Sequence, residues 1–148
     1  MSTPVILIDT NVIAELMRPV PSRTVLDWFA GQDSTALFLS AISEAELRTG
    51  AAILPAGQRR DSLTAIIDSV IEEDFAGRIL PFDSAAAKAC ATIAAARRGI
   101  GRPIMEADCQ IAAIANAHGA VVATRNVKDF EGCGVGIVDP WQGSGAAS

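Results

Sequence analysis

Histidine and cysteine are scarce in this chain: His118 is the only histidine, and Cys90, Cys109 and Cys133 are the only cysteines. A zinc centre built on imidazole and thiolate would lack ligands, and a Ser-His-Asp triad would have to use His118. Three cysteines, odd in number and far apart in sequence, make no disulfide framework, so a reducing cytoplasm is the expected setting. Long apolar runs are missing too. None approaches the ~20 residues needed to cross a bilayer, so no membrane association is expected. The longest early run, Val5 to Ile8, stops at Asp9 with no basic stretch before it, which argues against a secretory signal. Basic residues are outnumbered, with 12 Lys and Arg against 17 Asp and Glu and a net charge of −5. A chain that grips nucleic acid by neutralising phosphates is normally basic. An acidic one can still handle it where metal ions supply the positive charge, and it equally suits a basic partner.

Apolar residues are plentiful. The 148 residues are 50% hydrophobic and 20% charged, with mean hydropathy +0.33. That composition excludes a disordered chain, and the length suits one domain with its own core. The domain is expected over residues 1–142, with a disordered tail from Gly143 to Ser148.

Periodicity predicts strands alternating with helices. Val5–Ile8 reads as a strand buried on both faces. A short helical turn follows at Val12–Leu16, and Pro19 and Pro21 then break the chain. Ser22 is placed to cap a helix carrying Val25, Trp28 and Phe29. Ala36–Leu39 reads as a second strand, and Ser43 as the opening of the next helix. Leu63, Ile66, Ile67, Val70 and Ile71 recur at helical spacing. Ile79–Leu80 suggests a third strand, with Asp83 capping an alanine-dense helix whose small side chains allow close helix packing. Gly99, Gly101 and Pro103 mark a loop before a helix from about Ile104 to His118, stopped by Gly119. Val121–Thr124 and Val135–Val138 complete the strands. The alternation implies a mostly parallel sheet covered on both faces, hence a single α/β domain.

In such sheets the functional crevice lies beyond the carboxyl ends of the strands. Asp9 follows the first strand directly, although capping the next helix is the commoner role for an aspartate there. Glu46 matches a capping box that starts at Ser43, which would explain it without function. Glu44 would point about 200° away from Glu46 around the helix. Asp108 shares a helix stripe with Ile111, Ala112 and Ala115, where an uncompensated carboxylate is costly. Three carboxylates at one sheet edge repel unless a divalent cation neutralises them, and oxygen-only ligands suit Mg²⁺ or Mn²⁺. Arg125 and Lys128, beyond the fourth strand, are candidate phosphate contacts. Arg97, Arg98 and Arg102 read as a solvated helix end. The glycine-rich run from Gly132 to Gly136 reads as a turn rather than a phosphate loop. Trp28 and Trp141 are expected in the core.

Four segments in order carry a family resemblance: Ile8-Asp9-Thr10-Asn11-Val12-Ile13, Ser40 to Gly50, Ala107-Asp108-Cys109-Gln110-Ile111-Ala112-Ala113, and Ala123-Thr124-Arg125-Asn126-Val127-Lys128-Asp129-Phe130. They resemble the motifs of PIN-domain proteins, and most of all VapC-type toxins of bacterial toxin–antitoxin pairs. Gly77 to Asp83 and Asp139-Pro140-Trp141 bring the chain nearest to the FitB-like branch. The resemblance implies a PIN fold and a Mg²⁺- or Mn²⁺-dependent ribonuclease site. Asp9, Glu46 and Asp108 would be its metal ligands, with Thr124 in support. Many members carry a further acidic residue after Thr-Arg. Asn126 stands at that position, which adds no charge, with Asp129 a substitute nearby. A homodimer and a VapB-like antitoxin are implied as well. Two other readings stay open: a catalytically weak PIN-fold binding module, and a metal-dependent phosphohydrolase acting on DNA or a small phosphate ester.

Overall fold

The computed structural model describes residues 4–142, and the expected tail lies outside them. Five short strands form one parallel sheet: β1 (Ile6–Ile8), β2 (Leu37–Ser40), β3 (Ile79–Leu80), β4 (Val121–Ala123) and β5 (Ile137–Val138). Their spatial order is β3-β2-β1-β4-β5, which puts the first strand at the centre. Strand β1 pairs Ile6 with Leu37 of β2 and with Val121 of β4, while Ile8 pairs with Ala123. Parallel strands need crossover connections, and helices supply them.

Among the described residues seven α-helices do so: α1 (Thr10–Leu16), α2 (Arg23–Ala30), α3 (Ala41–Ala52), α4 (Gln58–Ser69), α5 (Ser84–Gly99), α6 (Glu106–Ala117) and α7 (Val127–Phe130). Because strand side chains alternate, adjacent apolar residues of β1 feed two different cores. Leu7 joins Val122, Ile93, Ile111, Ile114 and Phe130 on the α5–α6 face. Ile8 joins Val12, Val25, Trp28, Leu39 and Ile67 on the other. Continuous apolar strands are therefore what this sheet requires.

Several boundaries differ from the expected ones. Ser34–Ala36 is a 3₁₀ turn in which Asp33 accepts from the Thr35 amide, so β2 starts at Leu37. Helix α3 starts at Ala41, not Ser43, because the Ser40 hydroxyl accepts from the Ser43 amide at 3.0 Å. Helix α6 begins two residues later than expected, at Glu106 after Met105. The stripe expected after Leu63 does not all face inward. Ile67 and Ile71 are buried, but Ile66 is 44% exposed. The chain widens into a π turn over Val70–Asp74, where the Phe75 amide donates to the Val70 carbonyl at 2.9 Å. That shift of register turns Ile71 and Phe75 into the core together.

Arg97 corrects the expected solvated helix end. It is 4% exposed, donating to the carbonyls of Arg102, Asp129 and Glu131 at 2.7, 2.9 and 3.0 Å. A buried guanidinium needs such partners, and three backbone oxygens provide them. Gly132 and Gly134 adopt φ of +76° and +72°, so the glycine-rich run is a turn between α7 and β5.

Candidate active site

Asp9 leaves β1 at the centre of the sheet, where the strand's last apolar residue is fully buried. It both caps and faces the crevice. One carboxylate oxygen accepts from the Thr10 amide at 2.8 Å, as an N-cap does. The other accepts from the Thr124 hydroxyl at 2.7 Å and from the Asn11 side-chain amide at 3.3 Å. Burial is the largest influence on Asp9 and pushes its pKa up. The hydrogen bonds from Thr124 and the Thr10 amide oppose that, and the charges of Glu46 and Asp129 add to it.

Thr124 sits where β4 ends, and its own amide still donates to Val138 of β5. It is fully buried with its hydroxyl saturated. The hydroxyl proton goes to Asp9, while the oxygen accepts from the Asn126 amide at 3.0 Å and from Asn11 at 3.4 Å. Asn11 also accepts from the Arg125 amide at 3.3 Å, which ties α1 to the turn after β4.

Glu46 lies on α3, and no capping box forms around it. Since the helix is capped by Ser40, Glu46 stands a turn further in than its apparent signature implied. Its carboxylate accepts from the Thr10 hydroxyl at 2.6 Å instead. The Thr10 oxygen lies 2.9 Å from that of buried Ser43. Glu44 turns away, as its helix angle required, and pairs with Arg48 at 2.8 Å.

Asp108 enters from α6. Its pKa is pushed up to about 6, first by burial, then by the negative charges of Asp9, Asp129 and Glu46, with Arg97 pulling the other way. The end of β1, the second turn of α3, the first turn of α6 and helix α7 thus carry Asp9, Glu46, Asp108 and Asp129, and the charges of the other three all raise the pKa of Asp108.

The remaining residues divide. Asn126 is exposed at the start of α7, and its side chain makes no cap bond. Trp141 is half-buried and packs against the core that holds Ile8 and Trp28, as expected, while Arg125 lays its guanidinium 4.9 Å from the centre of its ring. Lys128 is exposed, and its carbonyl accepts from Arg102 at 3.3 Å. Thr10 and Asn11, which stand in the segment after the first strand but carry no assigned role in the sequence, link Glu46, Asp9 and Thr124. Their position directly after Asp9 was the available signal.

The donors fit a hard divalent cation in kind: all are oxygens, and the repulsion felt by Asp108 is what a cation would relieve. Their placement is not a closed ligand set. Among the described residues, no three acidic, histidine or cysteine side chains are arranged to hold a metal ion together. Asp9 and Glu46 are each held by hydrogen bonds to their own neighbours.

A family model described as the PIN domain matches residues 6–131, and the chain belongs to the PIN-domain family. It is similar to the VapC ribonuclease Y4jK of Sinorhizobium fredii, with 44% identity over 137 residues, covering 93% of this chain and 98% of that protein. Toxin FitB of Neisseria gonorrhoeae is 41% identical over 136 residues, covering 92% and 98%. Among solved structures, FitAB bound to an IR36 DNA fragment superposes with a TM-score of 0.87 at 40% identity, covering 93% of this chain and 96% of that one. No helix among the described residues is long and apolar enough to cross a membrane.

Proposed function

We propose that this protein is a metal-dependent endoribonuclease of the VapC type, the toxin of a toxin–antitoxin pair. The observation that carries the reading is the hydrogen-bonded set at the end of β1, where Thr124 and Thr10 hold the carboxylates of Asp9 and Glu46, whose charges, with that of Asp129, raise the pKa of Asp108. Kinship with a named VapC ribonuclease and a FitB toxin supports it.

Asp9, Glu46 and Asp108 would hold Mg²⁺ or Mn²⁺, which activates water and offsets the charge developing on a phosphodiester. The chain's own groups prepare that site. Thr124 fixes the orientation of Asp9 by donating to it, and Thr10 does the same for Glu46. Asn126 adds a neutral polar group where a charge is common, and Asp129 restores a negative charge beside it. Lys128 would contact the phosphate backbone. Arg125, also proposed for that role, has its guanidinium over Trp141 and would reach a phosphate from that stack.

The partner is a basic antitoxin resembling VapB, and the protein acts as a homodimer in the cytoplasm. A net charge of −5 suits a basic partner. A groove with about 660 Å³ of space, lined by Ala14, Met17, Leu47 and Leu63, reaches Thr10 and Glu46 and offers that partner a path to the carboxylates.

Matched RNA and DNA strands incubated with the purified chain and Mn²⁺ test the substrate. RNA alone should be cut, and Asp9→Asn should lose at least a hundredfold in rate. DNA cleavage would favour the phosphohydrolase reading. No Mn²⁺ binding at millimolar concentration would favour a binding module.

A further inference from the structure

The alanine-dense α5 lies close against α6 because small residues meet there: Ala86 and Ala89 from one helix, Ala112 and Ala113 from the other. That close approach brings together two thiols the carboxylate site does not use. The Sγ atoms of Cys90 and Cys109 stand 3.3 Å apart, and the Cys109 thiol also reaches the Cys90 carbonyl at 3.5 Å. A disulfide needs about 2.05 Å, so the sulfurs must close by about 1.2 Å. Cys90 is half-buried, whereas Cys109 and Cys133 are buried. Cys133 belongs to the same core cluster, but its sulfur lies 3.6 Å from a nitrogen of Arg97 and makes no hydrogen bond with either of the other two.

We infer that Cys90 and Cys109 form an oxidisable dithiol, which peroxide closes to a disulfide joining α5 to α6 one residue from Asp108. Cys90, the more accessible sulfur, attacks one peroxide oxygen. An S–O bond forms, the O–O bond breaks, and the leaving hydroxide takes up the thiol proton as water. Cys109 sulfur then attacks Cys90 sulfur, forming S–S and expelling a second water with the Cys109 proton. The two thiols lose two electrons and the peroxide gains them. Partly buried thiols react slowly, so this is a conditional bond rather than a folding framework, consistent with a reducing cytoplasm. A dithiol reductant reopens it.

The test treats the full chain with excess hydrogen peroxide over several hours, removes the oxidant, and denatures it with a maleimide label. Reduced protein should take three labels, matching its three cysteines. Oxidised protein should take one, on Cys133, with the peptides that carry Cys90 and Cys109 joined and together lighter by two hydrogens, and dithiothreitol should restore all three labels. Cys90→Ser and Cys109→Ser should each keep two labels after the same treatment. Cys90→Ser changes a half-buried position and keeps the test usable if Cys109→Ser does not fold. Three labels after oxidation would overturn the inference. So would oxygen addition in place of hydrogen loss, or cross-linking between chains rather than within one.

Discussion

Thr124 determines how Asp9 behaves. A buried carboxylate drifts toward its neutral form unless donors hold the charge, and the Thr124 hydroxyl is the strongest such donor here. Thr124→Val keeps the shape and removes that bond. The variant should lose about 1–2 kcal/mol of stability by urea titration, and its cleavage should fall furthest at the acid end of the pH profile, because Asp9 without that donor charges less readily. Asp108 gives the opposite stability effect. Its folded pKa of about 6 lies above the ordinary 3.8, so folding takes up a proton. Its contribution to stability is full below about pH 3.8 and is lost as pH rises through 6. Asp108→Asn should therefore melt about 2–4 °C above metal-free wild type at pH 8, after discounting for solvent screening. Scanning calorimetry should show the gap closing toward pH 5. A marked drop in melting temperature would instead identify Asp108 as a structural cap. Asp9 and Asp108 were legible in sequence because each interrupts an apolar pattern. Glu46 was hidden by its neighbours, since Ser43 and Glu46 imitate a helix start that Ser40 in fact makes.

At the scale of elements, the three residues between Ser43 and Ser40, the serine that caps α3, change the meaning of a glutamate. Capping competes among nearby serines, and local sequence does not say which hydroxyl wins. Ser22 and Asp83 cap where expected, accepting from Val25 and Ala86 at 3.4 and 3.0 Å. The strands were legible from their apolar runs, but their order in the sheet is a tertiary property. Arg97 is the clearest misreading. Two arginines at a helix end look solvated, and only the fold brings the turn after α7 over one of them. Arg97→Ala should leave three carbonyls without their donor and cost about 3 kcal/mol in urea unfolding. Arg98→Ala, at an exposed position, should change stability by less than about 0.5 kcal/mol.

The molecule as a whole places its negative charge through topology. Putting β1 between β2 and β4 sets the end of the first strand beside the turn after β4, across 115 residues of sequence. Helix α3 then brings in Glu46 and helix α6 Asp108, whose pKa the charges of Asp9 and Glu46 raise. No local reading of Asp9, Glu46 or Asp108 contains that convergence, whereas four motifs in family order did imply it. The proposed function requires these carboxylates to cut RNA with a divalent cation. The direct measurement is RNA cleavage by the purified chain, free of partner, with Mn²⁺ and with EDTA, alongside Asp108→Asn shown to be folded. Cleavage should require the metal and should vanish in the variant. Cleavage that persists in EDTA, or that Asp108→Asn carries out at the wild-type rate, would contradict the account.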